Sequence, residues 1–76
     1  MATSKTRRPA TLAARFAANL RRERIRRKLS QEALAAKARL SVSYISMLER
    51  EQRTPPLDTL ESLARALGVS PTALLA

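Results

Sequence analysis

The sequence contains neither cysteine nor histidine, and these two absences remove several kinds of chemistry at once. Disulfide bonds, zinc fingers and catalysis by a thiol are all excluded. The six acidic residues are scattered along the chain, and most are explained as helix caps or members of ion pairs. We therefore expect no enzymatic activity, no metal site and no cofactor.

Aromatic side chains are also scarce, since the 76 residues include one Phe, one Tyr and no Trp. The core must be built from Leu, Ile, Val and Ala, which suits one small helical domain. No apolar run approaches the roughly 20 residues that span a bilayer. The basic N-terminus also lacks the apolar stretch of a secretory signal. We expect a cytoplasmic, nucleoid-associated protein with no membrane partner.

Positive charge is concentrated in the first third of the chain. Residues 1–28 hold ten Lys or Arg and a single acid, whereas residues 29–76 hold five of each sign. The whole net charge of +9 therefore lies in the first part. A one-sided basic surface is typical of a protein that binds a polyanion. Solubilising surface charge is the alternative.

Helix signals divide the chain into a flexible basic N-terminal arm, residues 1–10, and a helical domain, residues 11–76. We predict five helices, at about 12–27, 31–38, 42–50, 57–67 and from Pro71 onward. The fold class is therefore all-α, a compact five-helix domain. The inward-facing residues of the first and fourth helices are predicted to be Leu12, Phe16, Leu20, Leu57, Leu60, Leu63, Ala64 and Leu67.

Residues 29–49 predict two short helices joined by a tight turn. Ser30 and Ser41 each precede a helical run, where a hydroxyl can accept a hydrogen bond from an unpaired backbone N–H. Small Ala35 allows the two helices to cross closely. The apolar face uses Leu34, Ala38, Ile45 and Leu48, which leaves Val42, Ser43, Ser46 and Met47 on the outer face. This layout indicates a helix-turn-helix, whose second helix enters the DNA major groove.

Several fragments resemble the lambda-repressor-like (Cro/XRE-type) helix-turn-helix family. They are Leu29-Ser-Gln-Glu, Ser43-Tyr-Ile-Ser, Leu48-Glu-Arg, Thr54-Pro-Pro-Leu-Asp-Thr-Leu and Leu63-Ala-Arg-Ala-Leu-Gly-Val-Ser-Pro. The resemblance covers roughly residues 12–76. Two turn positions that are often Gly in this family hold Arg39 and Glu51. Where such a position requires a positive φ, a residue other than Gly costs roughly 1 kcal/mol.

The resemblance implies roles for individual residues in binding DNA. The base-facing set would be Val42, Ser43, Ser46 and Met47, none of which makes a bidentate base contact. The implied DNA backbone contacts are Gln31, Tyr44, Arg50, Arg53 and Thr54. We add Arg27 and Lys28, because they lie next to the start of the second helix. Ordinary packing or solvation is the alternative role for Met47, Tyr44, Gln31 and the arginines.

The resemblance also implies two structural contacts. Arg24, late in the first helix, is expected to form an ion pair with Glu49 at the end of the third. Leu74 and Leu75 in the fifth helix are expected at a homodimer interface. Such a dimer would place two recognition helices about 34 Å apart, facing the half-sites of a palindrome.

The leading hypothesis is a sequence-specific transcriptional regulator that binds double-stranded DNA as a homodimer. One alternative is an antitoxin or adaptor-like module whose partner is a protein such as a toxin or RNA polymerase. Another is a non-specific nucleic-acid binder driven by the basic first helix, with steeply salt-dependent affinity. The scarcity of aromatic residues argues against RNA recognition by base stacking.

Overall fold

The computed structural model describes residues 11–76, which form four α-helices and a final helical turn. The elements are α1 (Leu12–Arg26), α2 (Gln31–Ala38), α3 (Val42–Glu49), α4 (Leu57–Leu67) and a 3-10 turn (Pro71–Leu74). This part of the chain contains no strand, so the all-α prediction is confirmed. The first three helices match their predicted bounds to within one residue. The predicted N-terminal arm lies outside the described residues.

The prediction of a fifth α-helix is wrong, because the segment after Ser70 forms a single 3-10 turn. Ser70 caps it as expected, accepting from the Ala73 N–H at 3.3 Å. The backbone bonds are of the i to i+3 type, with Leu75 N–H donating to the Thr72 carbonyl at 3.0 Å. The Leu74 carbonyl accepts from the side chain of Asn19 at 3.0 Å. This bond fastens the turn to α1.

Hydroxyl caps begin the first three helices, as the sequence predicts. Thr11 Oγ1, Ser30 Oγ and Ser41 Oγ accept from the N–H groups three residues later, at 3.1, 2.9 and 3.1 Å. Each bond satisfies a donor that has no partner within its helix. The N-cap of α4 is Pro56, which has no side-chain hydrogen bond.

All four α-helices end in the same backbone motif. In each, an N–H just beyond the helix donates to a carbonyl five residues earlier, and the residue before that donor is left-handed. The left-handed residues are Lys28, Arg39, Glu51 and Gly68, with φ of 56°, 60°, 62° and 72°. Only glycine adopts this conformation without a penalty from its Cβ atom. Both turn positions suspected from the sequence are therefore strained, together with Lys28.

The core is almost wholly aliphatic. Its fully buried side chains are Leu20, Leu34, Ile45, Leu48, Leu63 and Leu74, and Phe16 adds one buried aromatic ring. Ala35 is buried where α2 crosses α3, as its small size predicts.

The prediction that Leu12 and Leu57 face inward is wrong, since their exposed fractions are 57% and 80%. Each is the first residue of its helix, and side chains lean towards the N-terminus of a helix. Both side chains lie in a surface groove rather than in the core.

Candidate nucleic-acid interface

Helix α3 is anchored by one face and exposes its N-terminal end. Ile45 and Leu48 are completely buried, while Val42 and Ser43 are exposed. Farther along the helix, Tyr44, Ser46 and Met47 are half-buried. The four side chains of the predicted base-facing set thus differ in access, and the first turn of α3 presents the most open surface. A helix presented end-first in this way has the shape of an element that enters a groove.

A buried ion pair joins α1 to the end of α3. Arg24 Nε donates to Glu49 Oε2 at 2.7 Å, and Arg24 Nη2 donates to Glu49 Oε1 at 3.0 Å. The two side chains are only 13% and 5% exposed. Accepting these bonds, the Glu49 carboxylate raises the pKa of Arg24 above its ordinary value. The structure therefore brings together the two residues that the resemblance pairs.

The same network reaches the start of α2. Arg24 Nη1 donates to the Leu29 carbonyl at 2.9 Å, and Gln31 Nε2 donates to Glu49 Oε1 at 3.1 Å. Gln31, an expected phosphate contact, is thus held by a side chain of α3. The three helices that frame the site share one set of charged hydrogen bonds, which are stronger than neutral ones.

The two cations expected at the end of α1 differ in their surroundings. Arg27 donates to both the side chain and the backbone carbonyl of Glu23. Lys28 is exposed and forms no ion pair within residues 11–76. Of this predicted pair, Lys28 is the side chain more available to a phosphate.

The loop after α3 carries the other expected backbone contacts on its surface. Arg50, Arg53 and Thr54 are all exposed. Arg53 donates only to the adjacent Gln52 carbonyl, at 3.2 Å, and neither arginine forms an ion pair within the described residues. Left-handed Glu51 sets the direction in which this loop leaves α3. These cations therefore lie close to α3 and are free to bind an anion.

Sequence reasoning missed two buried polar residues of α1. Asn19 Nδ2 donates to the carbonyls of Leu74 and Ala76 at 3.0 and 3.1 Å, which secures the final turn. Glu23 accepts from Arg27 and Arg26, and the Arg27 hydrogen bond lowers the pKa of the Glu23 carboxyl, although burial opposes the shift. The spacing of Glu23 and Arg27, four residues apart, was the available signal for this pair.

The expected dimer residues occupy different environments. Leu74 is fully buried in the core, so it offers no surface to a partner. Leu75 is half-buried and lines a shallow apolar groove of about 180 Å³. Exposed Leu12 and Leu57 line the same groove, together with Phe16 and Pro55. This groove, rather than Leu74, therefore offers apolar surface for association.

Residues 11–76 offer neither a metal-binding cluster nor a membrane-spanning helix. No group of three or more Asp or Glu side chains there is close enough to hold a metal ion. None of the helices formed by these residues is both long and apolar enough to cross a bilayer.

The chain is similar to known helix-turn-helix proteins in both sequence and structure. The helix-turn-helix model HTH_3 matches residues 20–74. The immunity repressor of Bacillus phage phi105 is 49% identical over 49 residues, which cover 64% of this chain and 34% of the repressor. The structure of the hypothetical transcription factor NHTF from Neisseria matches with a TM-score of 0.84 and 38% identity, over 87% of this chain and 76% of that one.

A restriction-modification controller is similar over nearly its full length. The structure of C.AhdI from Aeromonas hydrophila matches with a TM-score of 0.79 and 39% identity, over 82% of this chain and 94% of the controller. Three curated relatives, by contrast, are matched over 34% to 65% of their own lengths. The family model covers both helices of the motif and the elements around them. The chain therefore belongs to the HTH_3 family of Cro/XRE-type helix-turn-helix proteins.

Proposed function

We propose that this chain is a transcriptional regulator that binds a specific sequence in double-stranded DNA. The observation that carries the proposal is the open first turn of α3, flanked by exposed cations that have no carboxylate partner among residues 11–76. The names of the relatives support it, since they include a phage repressor and a restriction-modification controller. Such a regulator would act in the cytoplasm, on the nucleoid.

Base recognition is assigned to the outer face of α3. Val42 and Ser43 are its exposed residues, and Ser46 and Met47 continue the face as half-buried ones. Val42 and Met47 suit contact with thymine methyl groups, and serine hydroxyls accept or donate at several base edges. Since none of the four offers a bidentate base contact, DNA shape and bound water would contribute part of the specificity.

Phosphate contacts are assigned to side chains on both sides of α3. Lys28 and Gln31 lie at or next to the start of α2, and Tyr44 lies in α3 itself. Arg50, Arg53 and Thr54 follow α3. Arg27 ranks below them because Glu23 already binds it. Contacts of this kind orient the protein without reading the sequence. Each cation that neutralises a phosphate adds about one to the salt dependence of binding.

A homodimer is proposed through the apolar groove that Leu12, Leu57 and Leu75 line. A domain of this size buries only about 60% of its unfolded surface, so covering these side chains would add stability. Two copies related by a two-fold axis would read a palindromic operator. Leu57→Asp is expected to give a monomer in analytical ultracentrifugation. Ile25→Asp, which replaces another exposed apolar side chain outside this groove, should sediment like the parent.

The decisive experiment is a selection of purified protein against a random duplex pool near physiological salt, followed by sequencing of the retained DNA. Enrichment of a two-fold palindrome supports the full proposal. Binding without enrichment supports the non-specific alternative, with steep dependence on salt. If no DNA is retained, the regulator proposal fails, and a protein partner becomes the better explanation.

Matched variants separate the two kinds of contact. Val42→Ala or Ser43→Ala should change which sequences are enriched while leaving the salt slope nearly constant. Arg53→Ala should weaken all sequences alike and lower the salt slope by about one. If Val42→Ala instead weakens every sequence equally, α3 is not the base-reading element.

A further inference from the structure

The carboxylate of Glu49 bonds to more than its arginine partner. Besides the two bonds from Arg24, Glu49 Oε1 accepts from Gln31 Nε2 at 3.1 Å. Glu49 is the last residue of α3, and Gln31 is the first residue of α2. A single buried carboxylate thus connects the end of one helix of the motif to the beginning of the other.

The chemistry of the two groups fixes the orientation of the Gln31 amide. An ionised carboxylate only accepts hydrogen bonds, so the amide nitrogen, and not its oxygen, must face Glu49. One of the two amide N–H groups makes this bond, and the other has no partner within residues 11–76. Because the acceptor is charged, the bond is stronger than one between neutral groups. The side chain is therefore held with one donor still available.

The surroundings favour the use of that donor for an anion. Gln31 lies in the first turn of α2, where backbone N–H groups and the helix dipole attract negative charge. The charge of Glu49 would repel a phosphate, but the Arg24 guanidinium lies 2.7 Å from it and offsets that repulsion. Without this restraint, the amide of the free protein would sample both orientations, and only one of them presents an N–H to a phosphate.

We propose that Glu49 is a positioning residue for DNA binding, because its buried carboxylate holds the Gln31 amide with one N–H directed to a DNA phosphate. This inference rests on the proposed function and deepens it. Since the restraint comes from α3 itself, the phosphate contact at α2 and the base contacts of α3 are kept at a fixed spacing. Preorganisation of this kind strengthens binding by lowering the entropy lost when the complex forms.

The test is a double-mutant cycle in DNA affinity with Gln31→Ala and Glu49→Asp. Aspartate keeps the negative charge, and the flexible Arg24 side chain can still reach it. Because the aspartate side chain is one methylene shorter, its carboxylate lies farther from Gln31. The probe is the duplex recovered from the random-pool selection, at a temperature where every variant is folded. Gly68→Ala is the control for lost stability, because it strains the end of α4 away from this network.

Gln31→Ala is expected to weaken binding about tenfold, as for loss of one hydrogen bond to a charged group. Glu49→Asp should weaken binding nearly as much. The double variant should bind DNA no more than about twofold more weakly than Gln31→Ala alone. The salt slope should not change, since neither substitution alters a charge, and Gly68→Ala should bind like the parent.

Three results would overturn the inference. The first is that Glu49→Asp binds DNA as tightly as the parent, and the second is that Gln31→Ala does so. The third is that the double variant loses affinity by the product of the two single-variant factors. Each leaves the proposed function standing, because the parent still selects its sequence. Failure of the parent to enrich any sequence would remove the proposed function and this inference together.

Discussion

Replacing the three strained left-handed residues by glycine should stabilise the protein. Lys28, Arg39 and Glu51 have φ of 56°, 60° and 62°, where a side chain with a Cβ atom is disfavoured. The natural Gly68 ends α4 in the same conformation, with φ of 72°, and it shows that this motif accepts glycine. We therefore expect Lys28→Gly, Arg39→Gly and Glu51→Gly each to raise the free energy of unfolding.

The magnitude follows from two opposing effects. The left-handed conformation costs a residue with a Cβ atom about 1–2 kcal/mol. Glycine loses about 0.5–1 kcal/mol more conformational entropy on folding than alanine does. The net gain is then about 0.5–1 kcal/mol at each site, and about 2 kcal/mol for the triple variant if the sites act independently. For a domain of this size, 2 kcal/mol corresponds to a rise in Tm of roughly 8–16 °C.

The assay is thermal unfolding followed by far-ultraviolet circular dichroism, at about 1 M salt, where a Debye length near 3 Å suppresses the effect of the altered charges. Two control substitutions are expected to lower the free energy of unfolding instead. Gly68→Ala should lose about 1 kcal/mol through its backbone alone, since nothing lies within 4 Å of the added Cβ. Ala18→Gly, in the middle of α1, should lose about as much. A triple variant that melts no higher than the parent would show that these three positions carry no strain that glycine relieves.

Three other predictions follow from the charged groups. Arg24→Ala leaves the Glu49 carboxylate buried without its cation, so we expect a loss of about 3–5 kcal/mol in the free energy of unfolding, measured by urea titration; a loss below 1 kcal/mol would show that the pair is unimportant. Folding lowers the pKa of Glu23, so its ionised carboxylate stabilises the protein. This stabilisation is complete when the pH is above the pKa of Glu23 in the unfolded chain, and it is lost as the pH falls through the pKa in the folded protein. Glu23→Gln should therefore unfold with a weaker dependence on acid pH than the parent, and identical profiles would contradict this. In low-salt titrations, Lys28→Gly should weaken DNA binding because it removes a cation, and Glu51→Gly should strengthen it because it removes an anion. If both variants bind DNA with the affinity of the parent, both residues lie away from the DNA.

The beginnings of helices could be predicted from the sequence because their signals are local. Thr11, Ser30 and Ser41 cap the helices that follow, and each forms its hydrogen bond to an N–H only three residues away. The ion pair of Arg24 and Glu49 is not local, and it was expected only because the sequence resembles a family in which such a pair is common. Nothing in their spacing of 25 residues indicates that the side chains meet.

What the sequence did not predict depends on contacts between distant segments. Asn19 lies among the apolar residues of α1, and its role appears only when the carbonyls of Leu74 and Ala76 pack against it. The same contact fastens the last segment, a 3-10 turn, to α1. Adjacent Leu74 and Leu75 look alike in the sequence, and only the packing of this turn decides that one is core and the other surface.

The left-handed residues show a further difference between the helix-turn-helix and the rest of the domain. Lys28 precedes α2, Arg39 connects α2 to α3, and Glu51 follows α3, so strained turns bracket the motif, while glycine ends α4 outside it. Backbone strain persists where the surrounding structure holds it, often at functional sites. At Lys28 the side chain supplies a cation next to the start of α2, which glycine could not do. At Glu51 the side chain brings a negative charge beside Arg50 and Arg53. The proposed DNA binding would therefore explain the strain at Lys28 but not at Glu51.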